Sequence, residues 1–204
     1  TQPDAAGQAR AMQAALADAG LAASAIGYLN AHGTATTTGD AAEAESITRV
    51  FGARGVAVSS TKAIHGHLLG AGGAVELLAA LRALRAGRLP PTANVDAADP
   101  AFAIDLVCGA ARRAEGLRAV MSSSFAFGGT NAVLIASRAD PRLTSWLAAM
   151  SRWPGSWSPG CRMPVSICAR SSPAIRAGKV TRSRPLVRDS ELPFLAFPAV
   201  LAAR

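Results

Sequence analysis

The sequence predicts a layered α/β/α domain with a mixed sheet over residues 1–138, followed by an irregular basic tail over residues 139–204. Three observations carry this. Helix-type and strand-type segments alternate through the first part of the chain, the pattern of a sheet covered by helices. The last two strand-type segments, at 117–127 and 131–137, are separated only by "GGT", so they pair as an antiparallel hairpin. The composition then breaks after Arg138, beyond which lie eight of the twelve prolines and all three tryptophans.

The elements follow in order. "AAGQARAMQAALADA" (5–19) consists of strong helix formers and is closed by Gly20. "IGYLNA" (26–31) is a short apolar run of strand type. "DAAEAESITRVFG" (40–52) reads as a helix with Asp40 as N-cap and Glu43 completing a capping box. "VAVSS" (56–60) is a second strand. Residues 66–86 read as one long, largely buried helix, with Arg82 and Arg85 near its end and Gly87 after it. The paired prolines of "LPPTANV" (89–95) exclude helix and require an extended segment. "AIDLV" (103–107), "LRAVMSSSFAF" (117–127) and "NAVLIAS" (131–137) complete the strands.

The net charge of +8 belongs to the tail. Residues 1–138 hold 11 Lys/Arg against 10 Asp/Glu, whereas residues 139–204 hold 10 against 3. A basic nucleic-acid footprint therefore does not belong to the α/β domain. "SRWPGSWSPGCRMPVS" cannot sustain helix or strand, and three readings of the tail stand side by side. It is a disordered basic segment, a nucleic-acid-binding arm whose tryptophans stack on bases, or a frame artefact joined to a truncated domain. The start at Thr1, in the lead-in to a helix, fits a fragment or a processed chain. Cys108, Cys161 and Cys168 form no CxxC pair, which makes a reducing, cytoplasmic setting the expectation. No uncharged apolar 20-mer and no signal peptide are present, so no membrane association is expected.

Chemistry-bearing residues gather in three segments that each end a strand, where open α/β sheets place their sites. They are "NAHGTATTTGD" (30–40), "SSTKAIHGHLLGAGGAVE" (59–76) and "SSSFAFGGTN" (122–131). Singly they are weak. A lone His32 at a strand end is more often a satisfied structural residue in a turn than a reactive one. His65 and His67 have no acidic or thiol neighbour at ligand spacing, so no metal is expected. The glycines at 70, 72 and 73 match no phosphate loop and suit close helix packing.

Together with "LPPTANVD", these segments resemble the C-terminal half of the β-ketoacyl-acyl carrier protein synthases, condensing enzymes of the thiolase fold. The resemblance covers residues 1–138. It implies a decarboxylative Claisen condensation in fatty-acid or polyketide synthesis. His32 and His67 would donate hydrogen bonds to the thioester oxygen of malonyl-carrier protein as CO₂ leaves. Lys62 would organise the polar network around them, and Thr34 and Thr36 would bind the pantetheine arm. Phe127 would gate the acyl pocket and, with Gly128 in the same turn, supply a backbone donor to the acyl-enzyme oxyanion. The resemblance implies no cofactor beyond the phosphopantetheine on the carrier protein, which is the expected partner. It also implies a homodimer when the chain is full length.

One departure matters. The family's nucleophilic cysteine lies in an N-terminal half that this sequence does not contain, and none of its three cysteines has the surroundings that lower a thiol pKa. The chain alone is therefore expected to be inactive. Two rivals remain: a non-condensing partner subunit resembling a chain-length factor, and a nucleic-acid or membrane-surface binder acting through the tail. Retention of both His32 and His67 speaks against the first.

Overall fold

A computed structural model describes residues 2–138 and the two-residue strand Ile167–Cys168. The three readings of the tail lie outside the described residues, apart from that strand.

Helix α1 (Ala5–Ala19) is capped as its sequence requires. The Asp4 carboxylate accepts from the N–H groups of Ala6 and Gly7, both at 3.0 Å, and Gly20 closes the helix with φ 63°. Its buried stripe of Ala9, Met12, Ala15 and Leu16 has the three-to-four spacing of one helix face. Strand β1 (Ile26–Asn30) follows, then α2 (Thr37–Phe51), β2 (Ala57–Ser59) and the single turn α3 (Lys62–His65). Next come α4 (Gly72–Ala86) and the short strands β3 (Arg88–Leu89), β4 (Asp105–Leu106) and β5 (Arg112–Arg113). The hairpin β6 (Ala119–Ala126) and β7 (Thr130–Ser137) precedes β8 (Ile167–Cys168).

The main sheet has the order β4-β2-β1-β6-β7-β8. The first four strands are parallel, β7 is antiparallel to β6, and β8 is antiparallel to β7 at Val133 and Leu134. The sheet is therefore mixed, as the hairpin turn requires. Strands β3 and β5 form a separate antiparallel pair.

Helices cover both faces. Met12 and Leu16 of α1 and Ile47 of α2 join Ile26, Leu29, Val58, Met121 and Phe125 in one cluster. Leu77, Ala80, Leu81 and Leu84 of α4 join Tyr28 and Val120 in the other. Ile26 and Tyr28 reach opposite faces although they are two apart, because the β1–β6 register shifts between them. Among the described residues no helix is long and apolar enough to cross a membrane.

Three sequence expectations are corrected. Asp40 is not an N-cap: α2 starts at Thr37, with Thr36 in the cap position making no side-chain cap bond. Glu43 consequently completes no capping box and is free to reach outside its own helix. The expected helix over 66–86 begins only at Gly72, because Gly66 (φ 74°) and Leu69 (φ 47°) take left-handed conformations that interrupt it. His67 is thereby on a loop rather than inside a helix. Of the three glycines expected to serve close packing, only Gly73 does so, since a Cβ there would lie 3.3 Å from Ser124 Oγ while those at 70 and 72 would meet nothing within 4 Å.

Candidate active site

The C-terminal ends of β2, β1 and β6, three adjacent parallel strands, bring the three chemistry-bearing segments together. His32 follows β1 by two residues, Lys62 follows β2 by three, and Phe125 lies near the end of β6. The His32 ring meets the His67 ring edge-on, with centroids 5.7 Å apart, and meets Phe125 at 5.9 Å. Residues 35 apart in the sequence thus share one site.

Hydrogen bonds settle the tautomer of each ring. Lys62 Nζ, which can only donate, lies 3.4 Å from His32 Nδ1. The Leu69 N–H donates to His67 Nδ1 at 3.3 Å. Both rings therefore accept at Nδ1 and carry their proton on Nε2, which leaves two N–H donors for a ligand. His65 is the opposite case. Its Nδ1 donates to the Gly66 carbonyl at 2.7 Å and its Nε2 accepts from Thr61 Oγ1 at 3.1 Å, so both ring nitrogens are occupied. His65 serves the loop and has nothing left to offer a substrate.

Electrostatics keep His32 neutral. Burial, then the charge of Lys62, then His67 hold its imidazolium pKa down at about 4. Lys62, 8% exposed, forms an ion pair with Glu76, which is 1% exposed. Asn30, wholly buried, ties this pair to the sheet: its Nδ2 donates to Thr61 Oγ1 at 3.1 Å and to the Glu76 carbonyl at 3.0 Å. A buried ion pair with its remaining groups satisfied holds the Lys62 side chain aimed at one place.

The backbone around His32 is held from a second direction. Glu43, in the second turn of α2, accepts from the His32 N–H and the Gly33 N–H, each at 2.8 Å. Burial pushes its carboxyl up to about 7 in spite of those two donors. Ser60 Oγ donates to the Gly33 carbonyl at 3.1 Å, and the Ser60 N–H donates to Thr92 Oγ1 at 3.1 Å. The extended "LPPT" segment thus braces the loop after β2.

The remaining candidates take these places. Thr34 and Thr36 stand with their hydroxyls 3.3 Å apart, Thr34 part-buried and Thr36 exposed, just before α2. Phe127, 86% exposed, and Gly128, at φ 76°, form the turn between β6 and β7 at the same end of the sheet. Phe125 rather than Phe127 touches His32. Cys108 follows β4 on the edge strand and its Sγ donates to the Asp96 carbonyl at 3.4 Å. Among the described residues no group of three or more His, Cys, Asp or Glu could hold a metal ion.

Glu43, Glu76, Asn30 and Thr61 carry much of this site and were not singled out as site residues from the sequence. Glu76 did leave a signal: it is the acidic member of the buried stripe Gly72, Glu76, Ala80 and Leu84 in α4. A carboxylate on a buried face requires a cation, and Lys62 was already in view.

Residues 1–96 match the family described as "Beta-ketoacyl synthase, C-terminal domain". The 3-oxoacyl-[acyl-carrier-protein] synthase 2 of Vibrio cholerae is 47% identical over 138 residues, which are 66% of this chain and 33% of that protein. A solved beta-ketoacyl synthase from Burkholderia phymatum superposes with a TM-score of 0.64 at 47% identity, covering 68% of this chain and 34% of that one. The ishigamide ketosynthase/chain length factor superposes with a TM-score of 0.65 at 37% identity, covering 67% and 34%. The chain spans about one third of the length of the relatives it matches. In fold, in motif order and in sequence, the chain belongs to the beta-ketoacyl synthase family, its residues 1–96 matching the family's C-terminal domain and its sheet having the thiolase-like architecture.

Proposed function

We propose that this domain supplies the decarboxylation site of a β-ketoacyl-acyl carrier protein synthase. The observation that carries the reading is the pair of neutral imidazoles, His32 and His67, each with Nδ1 engaged and Nε2–H free. Breaking the C–CO₂ bond of a malonyl thioester sends its electron pair into an enolate, with charge on the thioester oxygen. Two N–H donors aimed at that oxygen lower the barrier, and losing one donor of this kind costs about 10²- to 10³-fold in rate. The enolate carbon then attacks an acyl thioester on a cysteine, forming the new C–C bond and releasing the thiolate. That cysteine comes from a portion of the protein outside this chain.

Within this reading Lys62 holds His32 in the donating tautomer, while burial, then the charge of Lys62 and then His67 keep the ring unprotonated. Thr34 and Thr36 hydrogen-bond the pantetheine arm of the carrier protein. Phe127 gates the acyl pocket, and the turn it shares with Gly128 offers backbone N–H groups to the acyl-enzyme oxyanion. The protein works in the cytoplasm as a homodimer and needs no cofactor of its own, the phosphopantetheine arriving on its carrier. A chain-length-factor role is disfavoured by the intact histidine pair.

The test is reconstitution. The chain is assayed with acyl- and malonyl-carrier protein, alone and with a cysteine-bearing N-terminal portion of a ketosynthase. Product only in the second case, abolished by His32→Ala, supports the reading. Product from the chain alone, or restored product indifferent to His32→Ala, overturns it.

A further inference from the structure

A concave site lies at the opposite end of the sheet from His32. It is a cleft of about 500 Å³ where α4 ends, β6 begins and β7 finishes. Arg85, Arg88, Arg113, Arg118 and Arg138 line it, against a single acid, Glu115.

Three of the five arginines in this cleft hold no carboxylate among the described residues, unlike Arg10, Arg49 and Arg112 outside it. Arg10, Arg49 and Arg112 each hold a carboxylate: Asp4, Glu45 and Asp105 respectively. In the cleft, Glu115 reaches only Arg113, at 3.9 Å, with both side chains more than 80% exposed. Arg85, Arg88 and Arg118 have no side-chain partner among the described residues.

The arginines fall into two groups. Arg88 on β3 stands directly opposite Arg113 on β5 in the antiparallel register. Like charges in that position repel, unless an anion sits between them. The second group surrounds Arg138, whose guanidinium donates to the Leu84 carbonyl at 2.5 Å and to the Arg85 carbonyl at 3.3 Å. Its own N–H donates to the Arg118 carbonyl at 2.8 Å. Arg138 thus fastens the end of α4 to the start of β6 and brings Arg85 and Arg118 to the same wall. Two guanidinium pairs on one cleft match an anion with two separated charged groups. Guanidinium forks bind phosphate oxygens in bidentate fashion, more selectively than a point charge does.

We propose that this cleft binds a small polyanion carrying at least two phosphate-type groups, one at Arg88 and Arg113 and the other at Arg85 and Arg118. Closure of the α4 carbonyls alone explains Arg138 but not the cross-strand pair.

The test titrates pyrophosphate into the 204-residue chain by calorimetry, with inorganic phosphate for comparison. Saturable one-site binding is expected, at least tenfold tighter for pyrophosphate than for phosphate. Arg88→Gln with Arg113→Gln should weaken it about tenfold or more, whereas Arg49→Gln on α2 should leave it unchanged. Arg88→Lys, which keeps the charge and loses the fork, should fall between the parent and the double variant, and circular dichroism of each variant should match the parent. Absence of saturable binding, or equal binding by the double variant, overturns the proposal. So does a single-stranded oligonucleotide that competes with pyrophosphate and binds the cleft more tightly than it does, because the site would then belong to nucleic acid.

Discussion

Glu43 reaches out of α2 to accept the backbone N–H of His32 at 2.8 Å, and with its other oxygen takes the Gly33 N–H. A carboxylate that could have capped its own helix instead holds the loop that presents the ring. Its burial raises its pKa from 4.5 to about 7. A folded-state value above the unfolded one means that its stabilisation is complete below about pH 4.5 and is lost as pH rises through about 7. His32 runs the other way: its value is lowered from 6.5 to about 4, so its contribution is present above 6.5 and is lost as pH falls toward 4. Between those limits the two offset each other.

Glu43→Gln should expose the histidine's half of this balance. Urea unfolding of the variant should show stability rising from pH 4 to 6.5 and level above it. The parent should be nearly level between pH 4.5 and 6.5, where the two titrations offset, and should fall by less than about 1 kcal/mol as pH rises through 7. A variant that keeps the parent's decline above pH 6.5 would place that titration elsewhere.

Lys62 and Glu76 form a buried pair at 8% and 1% exposure, so removing one leaves the other charge without compensation. Lys62→Met should cost about 3–5 kcal/mol by urea unfolding, and adding Glu76→Gln should recover most of it. Proton NMR of the same single variant should show the His32 pKa rising above 4 while staying below 6.5, since burial remains its leading cause. A double variant as unstable as the single one would mean that the pair is not coupled.

The three histidines should separate by function. In the reconstituted enzyme His67→Ala should slow malonyl decarboxylation by about 10²- to 10³-fold, as should His32→Ala. His65→Ala should change that rate by much less, because both of its ring nitrogens are already spent on Thr61 and Gly66. Equal losses at 65 and 67 would remove the distinction drawn from their tautomers.

Gly33 has φ 39°, and a Cβ there would lie 2.6 Å from Ser60 Cβ. Gly33→Ala should therefore destabilise the domain by about 1–3 kcal/mol in thermal or urea unfolding. Because Gly33 follows His32 directly, the His32 NMR signals should shift as well. Unchanged stability and unchanged His32 signals would show that the loop has room to adjust.

Much of the fold could be read from local patterns. Asp4 and Gly20 bound α1 because a carboxylate and a left-handed glycine satisfy the free groups at helix ends, which depends only on neighbours in the chain. The glycine turn before Thr130 likewise dictated the antiparallel hairpin. The start of α4 was misread because its sequence from 66 onward is rich in apolar residues and alanine, while the left-handed turns at Gly66 and Leu69 depend on how that loop meets the strands.

The sequence by itself determined the α/β alternation, the family, and which side chains were worth watching: His32, Lys62, His67, Thr34, Thr36 and Phe127. Only the tertiary structure decided how they are arranged. It brought His67 to His32 across 35 residues and excluded His65 by satisfying both of its nitrogens. It also turned Glu43 from a helix cap into the anchor of the His32 backbone, and paired Lys62 with Glu76. These are long-range contacts among buried polar groups. A linear pattern can show that a buried charge needs a partner, but which partner it finds depends on the ends of strands that only the folded sheet sets side by side.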